Sequence, residues 1–145
     1  MIKGFFERLL GAGDSTASDA DARLALTALL VRVARADFSY DAVEQAQIDK
    51  VISRRYALSS AETEALRREA ETLEAEAPDT VRFTRAIKDA VPYDKRIAVV
   101  QSLWSVVLAD ATRDEHEDAL LRMVANLLGV SDRDSNLARQ RASGA

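Results

Sequence analysis

Asp37-Phe38-Ser39-Tyr40-Asp41-Ala42-Val43-Glu44 has a second version in the same chain, Asp110-Ala111-Thr112-Arg113-Asp114-Glu115-His116-Glu117. Both read Asp-x-(Ser/Thr)-x-Asp-x-x-Glu, and both follow an apolar run of helical period that ends in alanine. Such a run before each acidic stretch, and another after it, places each stretch at the corner between two helices. Shifted by 73 positions, the surroundings overlay as well: Leu26 on Val99, Leu30 on Leu103, Val33 on Val106, Ile48 on Leu121. At Ala57-Leu58-Ser59 and Gly129-Val130-Ser131 the shift is 72, so the first version carries one extra residue. An internal repeat of roughly 24–60 and 97–132 is therefore expected. It predicts an all-α bundle of about seven helices built from two pseudo-symmetric helical hairpins.

Composition agrees with helices. The chain has 145 residues, 48% of them hydrophobic, with five glycines and two prolines. That length supports a single core, and the shortage of helix breakers favours helix. A net charge of −4 provides no global attraction to nucleic acid or to an anionic membrane. With no cysteine, disulfides, thiolate zinc sites and thiol nucleophiles are excluded. A cytoplasmic location is the expectation. No apolar run reaches the ~18–20 residues of a membrane span.

Along the chain, residues 1–13 read as an amphipathic helix and linker, and 14–145 as one domain. Ile2, Phe5, Phe6, Leu9 and Leu10 give the first segment an apolar face. That face suits packing on the body of the protein, or docking on a partner or at the periphery of the inner membrane. A long helix follows to about Ala36, apolar over much of its circumference and hence central. The next begins at Asp41, and Ser59 with Glu62 has capping-box spacing for a third. That third helix, to about Glu76, is expected at the periphery, with a thin stripe of Ala65, Leu66, Ala70 and Leu73 and solvated glutamates. Pro78 suits the first position of a fourth, carrying Phe83, Ile87, Ala90 and Val91 inward. Pro92 ends it and opens a fifth helix through Ala109, the counterpart of the first. The sixth follows the second corner and stops at Gly129, and Ser131 starts a last short helix to about Arg141.

Each corner offers side-chain oxygen at alternating positions: Asp37, Ser39, Asp41 and Glu44 in one, Asp110, Thr112, Asp114 and Glu117 in the other. Alternating oxygens in a tight turn converge on hard cations, Ca²⁺ or Mg²⁺. Capping is the competing reading, because Asp41–Glu44 and Asp114–Glu117 suit helix N-termini. Capping does not call for Asp37 or Asp110, which close the preceding helices where the dipole disfavours an anion. His116, the one histidine, lacks partners for a zinc site.

These corners, together with Leu127-Leu128-Gly129-Val130-Ser131-Asp132-Arg133-Asp134, resemble the tellurite-resistance TerB-like family over roughly residues 22–142, and most of all its stand-alone, internally duplicated bacterial branch. The resemblance implies an all-helical fold with acidic corners proposed to bind metal cations, an association with stress responses including tellurite resistance, and no established catalytic activity. The glycine that usually follows the corner aspartate in that family is Phe38 in one corner and Ala111 in the other. Nothing in the sequence marks an enzyme: there is no phosphate-cradling loop, nucleophile elbow or histidine pair. Two functions follow as expectations: a divalent-cation-binding or sensing module, or a structural adaptor that docks a protein or membrane partner without metal.

Overall fold

In the computed structural model the described residues are 19–37, 40–77, 79–108 and 115–143. They form seven α-helices: α1 (Asp19–Ala34), α2 (Ala42–Tyr56), α3 (Ser60–Glu76), α4 (Val81–Ala90), α5 (Tyr93–Val107), α6 (Glu115–Leu127) and α7 (Asp132–Ala142). A 3-10 turn, Arg35–Asp37, extends α1, and no strand occurs among the described residues. The expected all-α class is observed. The amphipathic helix and linker expected over residues 1–13 lie outside the described residues. No helix of the described residues is long and apolar enough to cross a membrane.

Helix α1 is the axis of the bundle. Its stretch Ala25–Ala34 is buried except for Arg32, and it packs against α2, α3, α4, α5 and α6. A helix apolar around most of its surface has no solvent face to offer and must be surrounded. Its one buried hydroxyl, Thr27, donates to the Arg23 carbonyl at 2.8 Å, so no polar group is stranded. Helix α5 is the second inner helix: Val99, Val100, Leu103, Trp104, Val106 and Val107 are buried. It packs on α1, α2, α4, α6 and α7.

The two helix triplets make matching contacts. As α3 packs on α1, so α7 packs on α5; α2 meets α3 as α6 meets α7. Across the middle, α1 touches α6 and α2 touches α5. Helix α4 lies outside both triplets and packs mainly on α1. Even the helix ends match. Leu58 N–H donates to Ser53 O at 3.1 Å and Val130 N–H to Ala125 O at 2.9 Å. Both bonds close a helix through a left-handed residue, Ala57 at φ 54° and Gly129 at φ 76°.

Polar bolts hold the second triplet together. Trp104 Nε1 donates to Ser135 Oγ at 3.2 Å in the α5–α7 contact, and Tyr93 donates to Asp134 Oδ2 at 2.8 Å. Arg96 Nη1 donates to the Leu128 carbonyl at 2.7 Å, satisfying the end of α6.

Several expectations need correction. Helix α3 is peripheral as expected, packed on α1 and α2 with most of its residues exposed, but its inner stripe differs. Ala65 faces solvent, while Thr63, Ala70 and Leu73 are buried. Not all its glutamates are solvated, for Glu71 and Glu74 are ion-paired in part-buried positions. Helix α4 starts at Val81, later than expected, and Pro78 lies outside the described residues. Its inner face is Phe83, Thr84, Ala86 and Ile87, with Ala90 and Val91 only half-buried.

The matched helix ends make a test. An L-residue in the left-handed region costs about 1–2 kcal/mol that glycine avoids, and Ala57 is exposed, so its methyl contributes no packing. Ala57→Gly should therefore stabilise the protein by about 0.5–1 kcal/mol in urea denaturation. Gly129→Ala should destabilise it by at least about 1 kcal/mol, since its new Cβ would also stand 3.2 Å from Arg96 Nη1. A destabilised Ala57→Gly variant would contradict the assigned backbone.

Candidate functional site

The first acidic corner is built from the end of α1, the 3-10 turn and the start of α2. The turn tightens the last residues of α1 and stops at Asp37. The chain then re-enters helix at Ala42, with Asp41 in extended backbone as its N-cap. Asp41 Oδ1 accepts from Glu44 N–H at 3.0 Å. In return Glu44 Oε1 accepts from Asp41 N–H at 3.4 Å. This is a complete capping box, which satisfies two of the free N–H groups of α2. Asp41 remains exposed, whereas Glu44 is 0% exposed. Asp37 is placed by its backbone at the end of the turn, and the turn packs against α6.

The second corner is only partly placed. Ser39, Asp110, Thr112 and Asp114 lie outside the described residues, as do Phe38 and Ala111. Glu117 lies in the first turn of α6, with its side chain outside the described set. Of the eight candidate ligands, Asp41 and Glu44 are the pair whose side chains are placed, each bonded to the other's backbone N–H rather than to its carboxylate. Among the described residues, no group of three or more His, Cys, Asp or Glu is arranged to hold a metal ion.

The corner is anchored by a charged network along α3. Before it, Arg35 Nη1 reaches Glu74 Oε1 at 2.9 Å. Within it, Tyr40 donates to Glu71 Oε2 at 2.7 Å, and its ring lies 5.0 Å below the Arg35 guanidinium. Glu71 also accepts from Arg67 at 3.0 Å, and Arg67 pairs with Asp49 of α2 at 2.7 Å. Arg32 supplies the deepest link. Its Nε donates to Glu74 Oε2 at 3.0 Å, and its Nη2 donates to the Glu74 and Ala77 carbonyls at 3.0 and 2.9 Å. Its Nη1 reaches Thr80 Oγ1 at 3.3 Å.

One guanidinium thus neutralises a carboxylate, satisfies two carbonyls at the C-terminal end of α3 and touches the entry to α4. Cationic donors suit helix C-termini for this reason. In all, Arg32, Arg35 and Arg67 face Glu74, Glu71 and Asp49, so the network is charge-balanced. Motif reading of the corners misses these residues because the partners are distant in sequence. The available signal was Arg32 itself, an arginine inside the most apolar helix.

Tyr40 gives the network a pH signature. Burial, and then its hydrogen bond to the Glu71 carboxylate, push the phenol well above its usual value of 10.0. A raised folded-state pKa gives stability that is fully present below the unfolded value and lost as pH rises toward the folded one. Tyr40→Phe should therefore cost about 1.5 kcal/mol at neutral pH, as expected for a hydrogen bond to a charged group. The gap to wild type should narrow above about pH 10. Urea titrations between pH 7 and 11 check this, and a gap that stays constant over that range would contradict it.

A family model described as Tellurite resistance protein TerB matches residues 23–140. No curated protein and no solved structure matches the chain. The matched span takes in α2–α6, α1 from Arg23 onward and α7 as far as Gln140, together with both corners. The chain belongs to the TerB family.

Proposed function

We propose that this protein is a non-enzymatic TerB-domain module of a tellurite-linked stress response, and that its acidic corners bind a hard divalent cation, Ca²⁺ or Mg²⁺. The observation that carries this reading is the packing of the Asp37 turn against α6. Helix α6 begins within the second corner and carries Glu117 in its first turn. Each corner thus stands on an element that touches the other half of the bundle.

Asp41 supports the same reading. One of its oxygens caps α2, and its carboxylate is exposed. Capping therefore does not use up its coordinating capacity, because an ionised carboxylate has about four lone-pair sites. Glu44 enters the site differently. Its carboxylate is folded onto the helix N-terminus and buried, so it orders Asp41 in the ion-free state and would ligate only by turning outward. All the candidate donors are oxygen, the set that hard cations prefer.

We also infer that 24–60 and 97–132 are two copies of one unit. The matching order of helix contacts and the matching left-handed helix ends support it. A duplicated unit explains why the acidic corner is present twice.

The test is thermal unfolding in EDTA and in rising Ca²⁺ or Mg²⁺. A ligand that binds only the folded state adds about 2.7 kcal/mol at a hundredfold excess over its Kd. The expected result is a saturable rise in Tm that Asp37→Asn/Asp110→Asn abolishes. No rise at millimolar ion, or an equal rise in the double variant, would remove the corners as the site and leave the adaptor function.

A further inference from the structure

A pocket of about 270 Å³ opens between the first turns of α1, the end of α2, α4 and α5. Its floor is apolar: Leu26, Ile87 and Val99 are buried, and Val91 is half-buried. Its rim is basic and aromatic, made by Arg23, Arg55 and Tyr56, each half-buried. Among the described residues no acidic side chain lines it. Arg23 lies 4.4 Å from the centroid of the Tyr56 ring and Arg55 lies 5.9 Å from it, so the phenol ring holds both guanidiniums beside the opening. Among the residues whose side chains are described, neither arginine forms an ion pair with a carboxylate.

Three other half-buried arginines differ from this rim pair. Arg32, Arg35 and Arg67 each have a carboxylate partner within 3.0 Å. The chain is net acidic, so two guanidiniums gathered over an apolar floor are not a consequence of excess basic residues, and the Glu62 carboxylate within electrostatic reach of Arg23 is exposed and outside the pocket lining. On its other side Arg55 lines a second, more polar depression with Gln101, Ser102, Ser105 and Arg141. Donor capacity therefore continues outward from the rim.

We infer that this pocket binds a small amphiphilic anion: an organic carboxylate or phosphate whose head is held by Arg55 and Arg23 and whose short apolar body lies on Leu26, Ile87, Val91 and Val99. The guanidinium fork suits either head group, since both present oxygens in a bidentate arrangement. The apolar floor excludes water beneath the head and strengthens the attraction. The volume is at or just under the small end of the usual range for ligand pockets, about 300–1,000 Å³, which selects a short body over a long acyl chain. The site is independent of the acidic corners.

The experiment is an NMR titration of the full chain with hexanoate and hexyl phosphate, with hexanol and inorganic phosphate as probes that carry only one half of the chemistry. Saturable shifts at the amides of Leu26, Ile87 and Val99 are expected with both amphiphiles. Each single-feature probe should bind at least tenfold more weakly. Arg55→Gln and Arg23→Gln should each lower amphiphile affinity about tenfold, while Arg54→Gln, an exposed neighbour outside the pocket, should leave it unchanged. Val91→Glu, which adds a carboxylate at the floor, should abolish binding, and each variant's fold is checked by its own amide spectrum. The proposal is overturned if neither amphiphile shifts these amides. It is equally overturned if inorganic phosphate binds as well as hexyl phosphate, or if folded Arg23→Gln and Arg55→Gln variants bind as wild type does.

Discussion

An arginine inside an apolar helix must find partners or leave the core, because a buried charge without compensation costs several kcal/mol. Arg32 meets that constraint by reaching Glu74, the carbonyls of Glu74 and Ala77, and Thr80. The consequences spread through the first half of the bundle. Helix α3 is held on α1 despite its thin apolar stripe, and the Glu74 and Ala77 carbonyls at its end are satisfied without a glycine cap. The turn into α4 is fixed at Thr80 by the same guanidinium. Phe83, the first large core residue of α4, lies 5.4 Å from that guanidinium, so the charged link and the hydrophobic core meet at one point.

From there the network continues to the acidic corner. Arg35 precedes it and Tyr40 lies within it, both tied to α3 through Glu74 and Glu71. Between them the backbone turns from α1 into α2, and Asp41 with Glu44 closes the new helix. The corner is thus held from below by ion pairs and from within by a capping box, with the Asp41 carboxylate still facing water.

Local features were legible in the sequence, and non-local ones were not. The apolar run of α1 announced a central helix because periodicity needs only neighbouring residues. Ser59 with Glu62, and Asp41 with Glu44, announced their capping boxes because the partners are three positions apart. Gly129 announced a left-handed helix end, whereas Ala57, in the same conformation, gave no such signal. The Arg32–Glu74 pair spans 42 positions, so Glu74 read as one more solvated glutamate on a charged helix. The pocket was invisible for the same reason. Arg23, Arg55 and Ile87 come from three helices, and only packing brings them together. Of the candidate site, the capping half is visible in the placed side chains of Asp41 and Glu44. The cation half depends on convergence of Asp37, Asp41 and their counterparts in the second corner, which spacing alone suggests.

That convergence is the central claim, and a crystal structure of the protein grown with calcium tests it most directly. The account predicts an ion at the first corner bonded to the Asp37 and Asp41 carboxylates at about 2.3–2.6 Å, with equivalent density at Asp110 and Asp114. Carboxylates that point apart around ordinary water, with the Asp41–Glu44 capping box unchanged and no ion at either corner, would contradict it.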